Sequence, residues 1–261
     1  MLLEATRFTR GLIVGLLVVT AVSIILNVIV YRQAWKYYLQ LNETRLEPIG
    51  LSYYPTAAEG AALKSDIVVF FGDSRAYEWP APPDMDAFTF MNRGIGGQTS
   101  AQVAARFDAH IAPLQPQIVI LQVCINDLKT IPLFPQNKTA IIANCIANIE
   151  QIVDKSVALD ADVILTTIFP LGKLSLKRRP FWSDDVAAAI TEVNAFIESL
   201  AGPHVMVLDT AVVLADENGI VQQTYSKDFL HLNETGYEAL NKELIQMLAQ
   251  VQADSLIGEN K

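Results

Sequence analysis

The sequence predicts a three-layer α/β domain, helices on both faces of a five-stranded parallel sheet, carried behind one N-terminal transmembrane helix. Three observations predict it. Five short apolar runs, at residues 67–71, 88–91, 118–123, 163–169 and 205–208, are rich in β-branched and aromatic residues and have strand length. Between and after them lie segments with apolar residues three and four apart, the spacing that puts one buried stripe on a helix. Strands alternating with such helices imply βαβ crossovers and a parallel sheet covered on both sides. The third observation is an uncharged apolar run of transmembrane length at residues 11–31.

In chain order, residues 1–10 form a short tail. Residues 11–31 read GLIVGLLVVTAVSIILNVIVY; at about 1.5 Å per residue, such a helix spans roughly the 30 Å hydrocarbon core. A cleaved signal peptide needs a shorter apolar region and a small-residue cleavage site. Arg32, Gln33, Ala34 and Trp35 do not offer one, so the run is expected to be an uncleaved single-pass anchor. Arg7 and Arg10 precede it, while Arg32, Lys36 and Arg45 follow, so the positive-inside count leaves the orientation open. A short N-terminus inside the cell, with the domain extracytoplasmic, is the default for a signal-anchor. Residues 32–64 are expected to be a juxtamembrane linker. It opens on Trp35, Tyr37 and Tyr38 among basic residues, an interfacial mixture, and ends in Pro48, Gly50 and the stretch 55–62.

The domain is expected over residues 65–252, with 253–261 as a tail. Its helical stripes are Val103, Phe107, Ile111 and Leu114; Ile142, Cys145, Ile149 and Val153; Val186, Ile190, Val193, Ile197 and Leu200; and Leu240, Leu244, Met247 and Val251. The chain is 51% apolar with mean hydropathy +0.29 and net charge −9. Residues 1–36 carry four cations against Glu4, or +3, which leaves −12 for the remainder. So acidic a domain is a poor nucleic-acid binder, since phosphate contacts need clustered Lys and Arg. Cys124 and Cys145 read as small buried apolar residues more readily than as a disulfide.

Four blocks fall at the ends of these elements. Gly72-Asp73-Ser74 stands where the first strand emerges, the edge at which open α/β sheets place their chemistry. Asn92 to Ser100 includes the glycines Gly94, Gly96 and Gly97, which let backbone N–H groups approach a ligand. Asn126-Asp127 follows the third strand. Asp228-Phe229-Leu230-His231 precedes the last helix, with Asn233 as a plausible N-cap. Each block alone is ordinary turn chemistry. Together they fill every role of serine acyl transfer: a nucleophile, a base, a group orienting the base, and donors for the oxyanion. Asp228 and His231, three apart on a turn, can face the same side. Of the other two histidines, His110 and His204, neither follows a strand's end with such a carboxylate, and both read as structural or exposed.

These blocks resemble the SGNH (GDSL-like) serine hydrolases, over about residues 65–252. The resemblance implies a flavodoxin-like sheet in strand order 2-1-3-4-5. It makes Ser74 the nucleophile and part of the oxyanion hole, with Gly97, rather than Gly94 or Gly96, and Asn126 as the other donors. Asp228 and His231 complete the triad, and no cofactor or metal is implied. One departure stands out: the family's third block is usually Gly-x-Asn-Asp, and here it is Cys124-Ile125-Asn126-Asp127. The small cysteine is expected to leave Asn126 in place. The function implied is hydrolysis of acyl or acetyl esters of a lipid or glycan through an acyl-serine. An O-acyltransferase, or a non-catalytic carbohydrate- or lipid-binding module, are the alternatives. A metal phosphoesterase built on Asp73, Asn126, Asp127, Asp228 and His231 is disfavoured, because two-metal sites recruit several histidines.

Two lesser features remain. Residues 170–185 carry Lys173, Lys177, Arg178 and Arg179 beside Phe181 and Trp182, either a solvated loop or a lid that meets lipid headgroups or an anionic substrate. Arg75 and Trp79 either line a substrate pocket or are no more than a surface ion pair and a buried aromatic, respectively.

Overall fold

The computed structural model describes residues 2–54, 66–176 and 178–258. The stretch 55–62 of the expected linker and Lys177 lie outside them. The chain divides into two compact units, Met1–Pro48 and Ile49–Lys261. The first is a helix, α1 (Leu2–Leu46). It contains a stretch long and apolar enough to cross a membrane. Its apolar side chains, among them Leu12, Leu16, Val19, Ile24 and Ile29, are exposed. The helix runs on past residue 31 to Leu46, so much of the expected linker is helical.

The second unit is the α/β domain. Its elements are β1 (Asp66–Gly72), α2 (Ser74–Tyr77), β2 (Phe88–Gly94), α3 (Ser100–Ala105), α4 (Phe107–His110), β3 (Ile118–Gln122) and α5 (Ile125–Leu128). Then follow α6 (Lys138–Val157), β4 (Asp162–Thr166), α7 (Asp184–Ser199), β5 (Val205–Leu208), α8 (Thr210–Leu214) and α9 (Glu234–Gly258). The sheet is parallel throughout, in the order β2-β1-β3-β4-β5.

Period-two alternation sends successive strand residues to opposite faces. Val69, Phe71, Val119, Leu121, Val163 and Leu165 pack with α3, α4, α6 and α7. Val68, Phe70, Ile118, Ile120 and Ile164 pack with Trp79, α8 and α9. Burying each such side chain is worth about 1.5–3 kcal/mol, so both faces contribute and both must be covered. The first crossover is not the single helix expected. It breaks at Arg106, whose buried guanidinium turns inward to donate to the carbonyls of Gly72 and Arg93 and to the Gln98 side chain. Val103, Phe107, Ile111 and Leu114 are all buried even so.

Residues 49–54, placed with the linker by the sequence, pack on the domain. Gln98 Nε2 donates to the Ile49 carbonyl at 2.7 Å, the Tyr54 hydroxyl donates to the Gly94 carbonyl, and the buried His110 ring meets the Leu51 carbonyl at 3.0 Å. The two cysteines are also not as expected: Cys124 and Cys145 form a disulfide, with Cα atoms 5.9 Å apart. Both are fully buried, so burial was read correctly from their chemistry while the pairing depends on how α6 crosses the end of β3.

Gly72 shows how closely the sheet's edge is built. Its φ is +152°, and a Cβ there would stand 1.8 Å from the Gln122 carbonyl oxygen on β3. The same oxygen accepts the Asp73 N–H at 3.2 Å. Gly72→Ala is therefore expected to destabilise the domain by more than about 4 kcal/mol, the range reserved for backbone clashes and similar core faults. Urea unfolding of the purified variant, or its absence from the soluble fraction, measures this; near-wild-type stability would contradict the packing described.

Candidate active site

Ser74 opens α2, directly after β1 and the clash-sensitive Gly72. Asp73 caps this short helix, its Oδ1 accepting the Arg75 N–H at 2.9 Å. The Asp73 carboxyl is wholly buried, and burial raises its pKa to about 6 against the opposing pull of Arg75. Arg75 and Trp79 are buried structural residues rather than pocket walls. Arg75 Nε donates to the Leu230 carbonyl at 2.8 Å and Nη1 to Phe169 at 3.3 Å, while Trp79 Nε1 donates to Asn241 at 2.7 Å. Arg75 thus ties the turn holding Ser74 to the loop holding His231, a linkage the sequence reading did not find.

That loop brings two distant stretches of the chain together. Ser74 Oγ lies 2.9 Å from His231 Nε2 across 157 residues. His231 Nδ1 lies 3.0 Å from Asp228 Oδ2 and 3.1 Å from Oδ1. Asp228 Oδ1 also accepts the N–H groups of Leu230 and His231, at 2.7 and 2.9 Å. Partial burial pushes the Asp228 carboxyl up, but these N–H groups and the imidazole outweigh it and hold the group below the usual carboxylate range. An ionised Asp228 accepts a hydrogen bond from Nδ1–H, which fixes the tautomer and leaves Nε2 as the acceptor for the serine hydroxyl. Asn233 caps α9 as expected, its Oδ1 accepting the Gly236 N–H at 3.0 Å. His204 pairs with Asp162 at 3.0 Å on the surface and His110 is buried; neither joins Ser74.

The glycine block begins as strand, since β2 continues through Gly94, and only residues 95–99 form the turn. Gly96 lies against Ser74: a Cβ there would be 3.9 Å from Ser74 Cβ. Gly97 follows at φ +79° with open space where a Cβ would project. The next carbonyl, of Gln98, accepts the Asn126 amide at 2.8 Å. Among the described residues, the N–H groups of Ser74 and Gly97 have no acceptor.

Asn126 sits on α5, 4% exposed. Lys129 Nζ donates to its Oδ1 at 2.5 Å, which fixes the amide with its NH₂ toward Gln98 and one proton to spare. Lys129 was missed, although its place three residues after Asn126 is the helical spacing that could have found it. Burial lowers the Lys129 pKa, opposed by Asp73 and reinforced by Arg178. Asp127 anchors α5 from below, accepting the Ser100 N–H at 2.8 Å and hydroxyl at 2.7 Å. The basic loop folds back on the histidine loop: Trp182 packs edge-on against Phe229 at 4.6 Å, and Arg178 lies over the same ring at 5.6 Å. Arg179 and Phe181 remain exposed.

A five-stranded parallel sheet in this order, with helices on both faces, is an SGNH-like fold. The chain belongs to the GDSL-like lipase/acylhydrolase family, whose profile matches residues 70–239. Solved structures agree in fold. A GDSL-like lipase from Bacteroides thetaiotaomicron is 21% identical, with 79% of this chain and 97% of that one covered and a TM-score of 0.57. A lipase from a goat rumen metagenome is 16% identical over 70% and 97% of the two chains, TM-score 0.56. An acetyl xylan esterase is 16% identical over 69% and 98%, TM-score 0.52. At these identities the likeness is one of fold. No curated protein matches the chain by sequence.

Proposed function

We propose that the chain is a membrane-anchored serine esterase that hydrolyses acyl or acetyl esters of a lipid or glycan. The observation that carries this reading is a relay in which Ser74 lies within hydrogen-bonding distance of His231 and His231 within that distance of Asp228. Ser74 Oγ attacks the ester carbonyl as His231 Nε2 takes its proton, and Asp228 steadies the imidazolium. The N–H groups of Ser74 and Gly97 and the Asn126 amide receive the oxyanion. His231 returns the proton to the leaving alcohol, water then attacks the acyl-serine, and the acid and Ser74 are released. Residues 11–31 anchor the protein. The Cys124–Cys145 disulfide supports placing the domain on the extracytoplasmic side, where such bonds persist. The lipase and acetyl xylan esterase among the fold neighbours support an ester of lipid or glycan as substrate.

A fluorophosphonate probe tests the nucleophile directly. One phosphonyl adduct is expected, on the peptide carrying Ser74, after mass spectrometry of the labelled protein. Labelling elsewhere, or none, would overturn the assignment.

A further inference from the structure

We propose that the Cys124–Cys145 disulfide is a positioning device for catalysis: it holds Cys124 in the backbone conformation that aims Asn126 at the oxyanion. This rests on the esterase reading above.

Cys124 lies between β3 and α5 with φ +86° and ψ −25°. A side-chain-bearing residue is strained in such a conformation and stays there only where its surroundings impose it. Here the side chain is bonded to Cys145, on a 20-residue helix whose Cys145, Ile149 and Ile152 are fully buried. That helix is a fixed post. The Cys124 carbonyl accepts both opening bonds of α5, from the N–H groups of Asp127 and Leu128, each at 3.0 Å. Rotation about Cys124 toward negative φ would therefore swing the single turn that carries Asn126. The Asn126 amide has little tolerance for this, since one proton is committed to the Gln98 carbonyl and its oxygen to Lys129. A misplaced donor costs part of what a deleted one does, which sets the expected loss at about tenfold to a hundredfold in kcat.

The test uses the full-length chain in detergent, with p-nitrophenyl acetate as substrate. Cys145→Ala removes the link while keeping Cys124; kcat is expected to fall by about tenfold to a hundredfold with KM unchanged within about twofold. The double variant Cys124→Gly/Cys145→Ala also lacks the disulfide, but glycine adopts positive φ without strain, so kcat should return to within about threefold of wild type. A merely stabilising crosslink would predict no difference between the two variants, since both lack it. Wild-type kcat in Cys145→Ala, or no recovery with glycine, would overturn the proposal. Should Cys145→Ala fail to fold, the same comparison is made on wild-type enzyme reduced with tris(2-carboxyethyl)phosphine. A fall in kcat that reverses on reoxidation supports the device, and an unchanged kcat with both thiols titrated refutes it. Phosphonate labelling separates the two claims: an unlabelled wild type ends the esterase reading, whereas a labelled one with disulfide-independent kcat ends only this one.

Discussion

Ser74→Ala is expected to lower kcat/KM for an activated short-chain ester by about 10⁴–10⁶, the loss that follows removal of a serine nucleophile whose base has no other partner to activate. The variant should keep its fold, because Ser74 is only partly buried and its hydroxyl faces His231 rather than the core. Some rate above water should survive, since the N–H of residue 74, the Gly97 N–H and the Asn126 amide would still receive an oxyanion formed by attacking water. Steady-state hydrolysis with an unchanged melting temperature checks this. Wild-type turnover by the alanine variant would remove Ser74 from the reaction, and no turnover by the wild type would favour a binding module on the same fold.

Asp228→Asn should cost about 10⁴ in kcat with little change in KM. Asparagine keeps a carbonyl-type oxygen to receive the N–H groups of Leu230 and His231, so the loop should hold its shape. What changes is the imidazole. An amide NH₂ facing Nδ1 favours the tautomer with its proton on Nε2, and Nε2 then cannot take the serine proton. The direction of the Asp228 shift adds a pH signature. Because its pKa is depressed in the folded protein, the carboxylate stays ionised until the pH falls through that lowered value. Its contribution to the fold and to the imidazole's orientation is thus complete at neutral pH and lost only in strong acid. Chemical shifts of the His231 ring protons in wild type and variant read the tautomer directly; identical spectra would argue against the orienting role.

Much of the sheet was legible because parallel strands covered on both faces must be apolar nearly throughout, and their runs stand out from the amphipathic helices between them. The meeting of Asp228 with His231 was legible for a local reason, a three-residue spacing on one turn. What escaped the sequence depended on contacts between distant segments. The stripe from Val103 to Leu114 has helical spacing, but nothing local announces that Arg106 will turn inward and interrupt it. Pairing of Cys124 with Cys145 needs Cα atoms within about 7 Å, a distance that follows from the crossing of α6 and not from the residues' own chemistry. Arg75 reads as a pocket wall or half of a surface ion pair and is instead fully buried, its Nε and Nη1 donating to the carbonyls of Leu230 and Phe169.

The strap formed by residues 49–54 has a practical bearing on any truncated form that keeps only the α/β domain. Trimming the chain to Asp66, the first residue of the sheet, would strip Ile49 from Gln98, Leu51 from His110 and Tyr54 from Gly94. Gln98 is also the residue whose own carbonyl receives Asn126, so the damage would reach the Asn126 amide from behind. The place to cut is ahead of Ile49, past the end of α1 at Leu46 and at the first residue of the second unit.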